Sequence, residues 1–232
     1  MSKDNKPTLK QSSDVTAFLD KVAKTPVRRT PGEAGRLIFG MDATASRKPT
    51  WDKACHLQGQ MFDATADVGD LAVQLCYYRG FNEFKHSAWC SSARDLLNEM
   101  SAVRCLGGHT QIKRVLNHAS AEHRRQQIKA VVFVGDAVEE NPDELCHMAG
   151  QLGVMKVPLF TFQEGQEPAV RSTFQQMAQL SGGAFAPFNL SSAAELKNLL
   201  AAVAVYAAGG RKALEQFESR VKPAALLTQQ LK

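Results

Sequence analysis

An apolar run early in the chain ends at an aspartate that is followed by two hydroxyl residues at alternate positions, giving Asp42, Thr44 and Ser46. Two later segments add similar groups, because GGHT supplies Thr110 and VVFVGD ends at Asp136. Carboxylate and hydroxyl oxygens without His or Cys suit a hard divalent cation, whereas zinc and copper prefer nitrogen and sulfur ligands. The sequence therefore predicts a site for Mg²⁺ or Mn²⁺, with Ca²⁺ as a further candidate.

The elements that would position these residues alternate between short apolar strands and longer amphipathic segments from Arg36 onward. This alternation is typical of a parallel sheet covered by helices on both faces. Two strands, 71–78 and 84–90, are separated by a short turn and are expected to pair antiparallel. We therefore expect an α/β fold with a doubly wound, mostly parallel central sheet of about six strands, one antiparallel edge strand and flanking helices.

Local patterns predict the bounds of each element. Pro49 favours the first turn of a helix, and Ser92 is the expected N-cap of another. The predicted strands are 36–41, 71–78, 84–90, 129–136, 157–162 and 184–188. The predicted helices are 49–68, 92–103, 110–127, 142–153, 168–183 and 193–214.

The three hydroxyl and carboxylate motifs are expected to meet at one edge of this sheet. In an open parallel sheet, ligands collect beyond the carboxyl ends of the strands, where the strand order reverses. Asp42 follows the first predicted strand and Asp136 ends the fourth, so their carboxylates are expected to converge. Thr110 follows two glycines and would begin a helix whose free N–H groups face outward.

Taken together, the motifs resemble the metal-ion-dependent adhesion site (MIDAS) of the von Willebrand factor type A (VWA) domain family, which includes the integrin inserted domains. That family has D-x-S-x-S after the first strand, a threonine in a glycine-containing loop and an aspartate after the fourth strand. Asp42, Thr44 and Ser46 match the first motif, Thr110 the second and Asp136 the third. Thr44 departs from the usual serine, and its extra methyl group could change loop packing and metal preference. The resemblance covers roughly residues 36–206.

The resemblance implies that Thr44 and Ser46 bind the cation directly, and that Asp42, Thr110 and Asp136 bind it directly or through water. A carboxylate from a partner protein would replace one water, so the implied function is a metal-dependent protein–protein interaction module without catalytic activity. Stand-alone domains of this family often act as adaptors in bacterial multiprotein systems, including AAA+ ATPases and stress-response complexes. Ligand binding in the family can also shift the last helix, here around residues 196–206.

Other residues near the motifs are candidates for a rim that contacts the partner. His109 and Glu139 would lie beside Thr110 and Asp136, and Trp51 lies close to Ser46 in sequence. Plainer roles are also open, namely exposed loop positions for His109 and Glu139 and core packing for Trp51. His118 and His123 are five residues apart, miss the shared face of an i, i+4 pair and are expected on a helix surface.

Two alternative interpretations of the motifs involve other chemistry. Loop capping alone would explain D-x-T-x-S, since Asp, Ser and Thr favour such positions. A strand-terminal aspartate with magnesium also occurs in phosphotransferases and phosphatases that form an aspartyl phosphate, which makes Asp42 a candidate nucleophile. Enzymes related to haloacid dehalogenases place an acid two residues later, where this chain has Thr44. The sequence also lacks both common glycine-rich phosphate-binding motifs.

A second alternative is a nucleic-acid-binding adaptor that uses the basic segment 110–129. Phosphate contacts by Lys and Arg would supply the affinity. Charges spaced along one amphipathic helix are more often a solvated face, and no aromatic residues interleave with them, so nucleic acid is disfavoured. The basic residues of the segment are Lys113, Arg114, Arg124, Arg125 and Lys129.

Composition is ordinary for one globular domain, with 44% hydrophobic and 22% charged residues among 232. The formal net charge of +5 tolerates an acidic partner without identifying one. The absence of a membrane-spanning apolar run or secretory signal predicts a cytoplasmic protein, and five scattered cysteines predict reduced, mostly buried thiols. We expect a mobile N-terminal tail at 1–34 with a short helix at 13–24, a VWA-like domain at 35–219 and a C-terminal tail at 220–232.

Overall fold

A computed structural model describes residues 34–188 and 197–210, together with Lys21, Ala213 and Gln216. The helix predicted at 13–24 and the C-terminal tail predicted at 220–232 lie outside the described residues, apart from Lys21. The domain limits at 35 and 219 therefore stay predictions.

A six-stranded sheet runs through residues 34–188, with strand order β3-β2-β1-β4-β5-β6. Every neighbouring pair is parallel except β2 and β3, which are antiparallel. This is the doubly wound α/β arrangement predicted from the sequence, with its single antiparallel strand at one edge. The strands are β1 Gly35–Asp42, β2 Leu71–Arg79, β3 Glu83–His86, β4 Ala130–Gly135, β5 Leu159–Glu164 and β6 Phe185–Phe188.

Helices connect the strands and cover both faces of the sheet. A 3-10 turn, Ala45–Arg47, follows β1, and residues 197–210 are helical after the last strand. The N-cap role of Ser92 is confirmed, because its side chain accepts a hydrogen bond of 3.2 Å from the Asp95 N–H. The other helices are α1 Lys48–Leu57, α2 Gly59–Thr65, α3 Ala93–Ser101, α4 Ile112–Arg125, α5 Pro142–Val154 and α6 Pro168–Ser181.

Two hydrophobic cores sandwich the sheet, because successive side chains of a strand point to opposite faces. In β1, Leu37, Phe39 and Met41 contribute to one core and Ile38 to the other. The first core also contains buried residues of α1–α3 and of the helical segment 197–210, and the second contains those of α4–α6. A strand buried on both faces in this way holds its carboxyl end rigidly, and that end carries Asp42.

Four local predictions were wrong in detail. The strand predicted at 84–90 ends at His86 and is followed by an isolated bridge at Cys90. The helix predicted at 49–68 is two helices, α1 and α2, separated at Gln58 just before Gly59, a poor helix former. The helix predicted from Thr110 begins at Ile112, because the backbone of Gln111 is not helical, with φ −137° and ψ 46°. His118 is only partly exposed, because its ring stacks on His86 with a centroid separation of 4.4 Å.

The five cysteines are free thiols, three of them buried and two half-buried, as predicted. Burial raises the pKa of the Cys55 thiol to about 11, so this side chain stays protonated at neutral pH. In the part of the chain that the structure describes, no helix has both the length and the apolar character needed to cross a membrane.

Candidate metal centre

The candidate site lies where the sheet reverses its strand order, between β1 and β4. From β1 the chain continues to β2 on one side, whereas β4 continues to β5 on the other side. Met41 pairs with Val134, so Asp42 and Asp136 follow at the carboxyl ends of adjacent parallel strands. The fold therefore creates the crevice in which doubly wound proteins commonly bind ligands.

The loop after β1 folds back so that its alternate side chains connect. The Thr44 N–H donates to Asp42 Oδ1 at 2.7 Å, and the hydroxyl oxygens of Thr44 and Ser46 lie 3.4 Å apart. The Ser46 hydroxyl then donates to Asp136 Oδ2 at 3.2 Å. A series of polar contacts thus links the two strand-terminal carboxylates through the Thr44 backbone N–H and the hydroxyls of Thr44 and Ser46.

Asp42 is buried and only partly satisfied. Its side chain is 1% exposed, and while Oδ1 accepts from Thr44, the buried Oδ2 has no hydrogen-bond partner. Burial raises the pKa of Asp42, and the negative charge of Asp136 adds to that rise, whereas the bonds from Thr44 and the charge of Arg47 oppose it. A buried carboxylate oxygen without a partner is costly, and a bound cation would remove that cost.

Tyr78 lies opposite Asp42 in the pairing of β1 with β2. Its hydroxyl is buried and lies close to the Asp42 carboxylate, without a hydrogen bond of good geometry to it. Burial, followed by the negative charge of Asp42, raises the pKa of Tyr78 well above its ordinary value. Tyr78 therefore stays neutral beside the carboxylate.

Thr110 is held beside the loop that follows Asp136. Its N–H donates to Glu139 Oε2 at 2.7 Å, and its hydroxyl oxygen accepts from the Glu139 N–H at 3.0 Å. These bonds anchor Thr110 to that loop and do not join it to Asp42 or Asp136 directly. The hydroxyl keeps a further lone pair, so Thr110 can still bind a cation directly or through water.

The glycine-containing loop before Thr110 is fastened to both neighbouring loops. Leu106 N–H donates to Ala43 O at 3.0 Å, and His109 N–H donates to Gly80 O at 3.2 Å. A Cβ on Gly108 would lie 1.9 Å from Gly80 O, so only glycine allows this approach. These contacts set Thr110 at its position.

The N-terminus of α4 differs from its predicted role. The N–H groups of Ile112 and Lys113 both donate to the Glu140 carboxylate at 2.8 Å, and therefore do not face outward to a ligand. A carboxylate at this position also interacts favourably with the helix dipole. Glu139 and Glu140 together join the loop after β4 to the start of α4, a structural role that sequence reasoning missed.

The three rim candidates do not share one environment. The side chains of His109 and Glu139 are 63% and 50% exposed, and the two form a contact of 3.4 Å. Trp51 is only 2% exposed, and its indole N–H donates to Met100 O at 3.0 Å. Trp51 is therefore a core residue, which confirms its predicted packing role, and the alternative place on the rim is wrong.

Two charged residues beside the site were not predicted. Arg47 follows Ser46 directly and is 1% exposed, and Glu164 ends β5. The Arg47 guanidinium forms an ion pair with Glu164 and lies 3.7 Å from Asp136 Oδ2. The position of Glu164 at a strand end was an available signal, because Asp42 and Asp136 also follow strands.

The residues present fit a divalent cation. Asp42 Oδ2 is a buried acceptor without a hydrogen-bond partner, and the same loop carries the Thr44 and Ser46 hydroxyls, the second of which contacts Asp136. Among the described residues, no three His, Cys, Asp or Glu side chains form a cluster of the kind that could hold a metal by themselves. A set of oxygen ligands at this position therefore has to include Ser and Thr hydroxyls.

No family model matches the sequence, and no curated protein matches it. Solved structures do resemble the fold. The chain superposes on a von Willebrand factor type A protein from Catenulispora acidiphila with a TM-score of 0.58, at 15% identity over 73% of this chain and 42% of that one. It thus spans less than half the length of that protein.

Two further similar structures are the VWA domain of SpRpn10 and proximal thread matrix protein 1 from the mussel byssus, whose MIDAS motif is occupied by zinc. The first has a TM-score of 0.55 at 13% identity, over 68% of this chain and 93% of that one. The second has a TM-score of 0.56 at 15% identity, over 73% of this chain and 45% of that one. With its six-stranded sheet and these structural neighbours, the chain has the fold of a von Willebrand factor type A domain, as its motifs predicted.

Proposed function

We propose that this protein is a VWA interaction module that binds a partner protein through a divalent cation. The observation that carries the proposal is the series of contacts from Asp42 through Thr44 and Ser46 to Asp136, together with the buried Asp42 Oδ2, which has no hydrogen-bond partner. Asp42, Thr44, Ser46, Thr110 and Asp136 are the proposed metal ligands, directly or through water.

Each ligand has a distinct part in the proposed site. Asp42 and Asp136 supply the negative charge, while Thr44 and Ser46 supply neutral oxygens that leave the site electron-poor. Glu139 holds Thr110 in place through two hydrogen bonds. A bound Mg²⁺ or Mn²⁺ would supply an electrophilic position at which a partner carboxylate can replace water.

The proposed partner is a protein with an accessible Asp or Glu side chain. An adaptor role in a bacterial multiprotein system, with an AAA+ ATPase or a stress-response complex as the partner, is proposed on family resemblance alone, as is a cytoplasmic location. We expect no catalytic activity. Burial of Asp42 at 1% exposure argues against its use as a phosphoryl-accepting nucleophile.

The basic segment gives little support to nucleic-acid binding. Lys113 pairs with Glu144, Arg114 donates to Asn82, and Arg125 pairs with Glu122. Lys129 is only 8% exposed. Because other residues of this chain already contact most of these basic side chains, the segment does not present a continuous basic surface for phosphates.

Water proton relaxation of the Mn²⁺-loaded protein tests whether the site accepts a carboxylate. N-acetylglutamate amide should lower the relaxation enhancement in a saturable way by displacing metal-bound water, whereas N-acetylglutamine amide should not. An equal effect of both compounds, or no effect of either, would contradict carboxylate capture at the metal. The Asp63→Asn variant, altered at an exposed carboxylate in α2, serves as the protein control.

A further inference from the structure

A buried arginine lies directly beneath the proposed metal site. Arg47 ends the 3-10 turn that begins after Thr44, and its side chain is 2% exposed. A buried charge is strongly unfavourable unless opposite charges accompany it. The surroundings of Arg47 therefore indicate what balances the charge of the site.

One nitrogen of Arg47 faces two carboxylates. Nη1 lies 3.7 Å from Asp136 Oδ2 and also donates to Glu164 Oε2, an oxygen that accepts from the Thr50 hydroxyl as well. Nε and Nη2 of Arg47 are buried without hydrogen-bond partners. The guanidinium is thus held by charge pairing rather than by a full set of hydrogen bonds, and Asp136 and Glu164 share it.

The formal charges around Arg47 match a divalent ion. Asp42, Asp136 and Glu164 are acidic, and Arg47 is the cation that contacts two of them. With all four ionised, the group has a formal charge of minus two, which one divalent cation would neutralise. The positive charge of the buried Arg47 also repels that divalent cation, because burial weakens solvent screening.

We propose that Arg47 is a resident counter-cation that competes with the divalent ion for Asp136, and that Glu164 holds Arg47 away from the metal ligands. This inference rests on the proposed metal site and concerns how tightly that site binds. Metal affinity is then set by residues that do not touch the metal, and Thr50 fixes Glu164 as the alternative acceptor for Arg47.

Calorimetric titration of Mg²⁺ and Mn²⁺ into metal-stripped protein tests the inference through the order of affinities. Arg47→Met, which removes the competing charge, should bind at least tenfold more tightly than wild type. Glu164→Gln, which releases Arg47 towards Asp136, should bind at least tenfold more weakly. The double variant removes one charge of each sign and should return to within about threefold of wild type, because the net charge around the metal ligands is then the same as in wild type.

Arg36→Met is the matched control, because Arg36 is also largely buried and pairs with Glu122 but lies at the opposite end of β1. It should lower the melting temperature without changing metal affinity more than twofold. If Arg47→Met does not fold without metal, the comparison of the double variant with Glu164→Gln measures the same effect, a gain of at least tenfold on removing Arg47.

Other outcomes separate this inference from the proposed function. Weaker binding in both single variants and in the double variant would overturn the inference and make Arg47 a positioning residue, while the metal site itself would stand. Binding by Arg47→Met but not by wild type would support the inference and contradict the proposed function. No binding by any variant would overturn both.

Discussion

At the scale of single residues, each carboxylate of the candidate site already contacts the protein and is also a proposed metal ligand. Asp42 Oδ1 accepts the Thr44 N–H and shapes the loop, whereas Oδ2 has no partner. Asp136 Oδ2 accepts from Ser46 and faces Arg47. The protein thus fixes the orientation of both side chains in advance, which lowers the cost of ordering them when a ligand binds.

Thr44 offers a direct test of a neutral ligand. Thr44→Val keeps the shape and removes the hydroxyl, so Mg²⁺ affinity should fall about tenfold to a hundredfold, the range seen when residues supporting a metal site are lost. Thr44→Ser keeps the hydroxyl and restores the serine of the family pattern, so affinity should stay within about threefold of wild type. Calorimetry on both variants measures the contrast. Equal affinities would show that Thr44 does not bind the metal.

At the scale of elements, three loops are fastened into one unit. The loop after β1 receives a hydrogen bond from Leu106, and the end of β2 receives one from His109. Glu139 and Glu140 then join the loop after β4 to the start of α4. A shift of any one loop would therefore move the others. The position of Thr110 thus depends on Gly108, whose missing side chain lets its loop approach Gly80.

Gly108→Ala should separate the loops, because the new Cβ would overlap Gly80 O. We expect a loss of about 1–3 kcal/mol in the free energy of unfolding, the range for overpacked sites, together with weaker metal binding. Gly107→Ala is the adjacent control, since nothing lies within 4 Å of a Cβ there. Urea denaturation and calorimetry measure both effects. An equally mild result in the two variants would show that this close approach is not required.

Because α4 packs on the edge of the sheet, the contribution of His118 to the stability of the fold should depend on pH. Burial, and then the neighbouring His86, lowers the pKa of His118 to about 4 in the folded protein, and Nε2 bonds to Gln74 Oε1 at 2.8 Å. The unfolded chain takes up this proton near pH 6.5, so stability should fall as pH decreases from about 6.5 to 4.

His118→Gln should make the free energy of unfolding less dependent on pH in that window, as followed by urea denaturation at pH 7 and pH 5. NMR titration of the wild-type protein gives the sign directly. A His118 resonance that titrates above pH 6.5 would contradict the account.

The order of elements was predictable because each buried strand is a near-continuous apolar run. The proposed ligands were predictable because each lies just after a strand or just before a helix. The Arg47–Glu164 pair was not, since 117 residues separate its members and only the sheet order brings them together. The contacts of Glu139 and Glu140 were also missed, because the direction of a loop side chain does not follow from its type. Only the rim alternative for Trp51 was wrong, since closeness in sequence to Ser46 does not show on which side of α1 a residue lies.

At the scale of the whole molecule, a cation that binds only the folded state must stabilise the entire domain. At a metal concentration one hundred times the dissociation constant, the gain is about 2.7 kcal/mol, which corresponds to a rise of about 5–10 °C in melting temperature for a domain of this size. Scanning calorimetry with Mg²⁺ and with chelator should show this rise in wild type and not in Asp42→Asn. A similar rise in the variant would place the bound metal elsewhere.

The most direct test of the proposed metal site is titration of Mg²⁺ and Mn²⁺ into metal-stripped wild type, Asp42→Asn, Asp136→Asn and the exposed control Asp63→Asn, with folding checked by circular dichroism. We predict one saturable site in wild type and in Asp63→Asn, and a loss of at least a hundredfold in affinity in both site variants. No saturable binding by folded wild type, or unchanged affinity in both site variants, would contradict the central claim that the ends of β1 and β4 form a metal-dependent binding site.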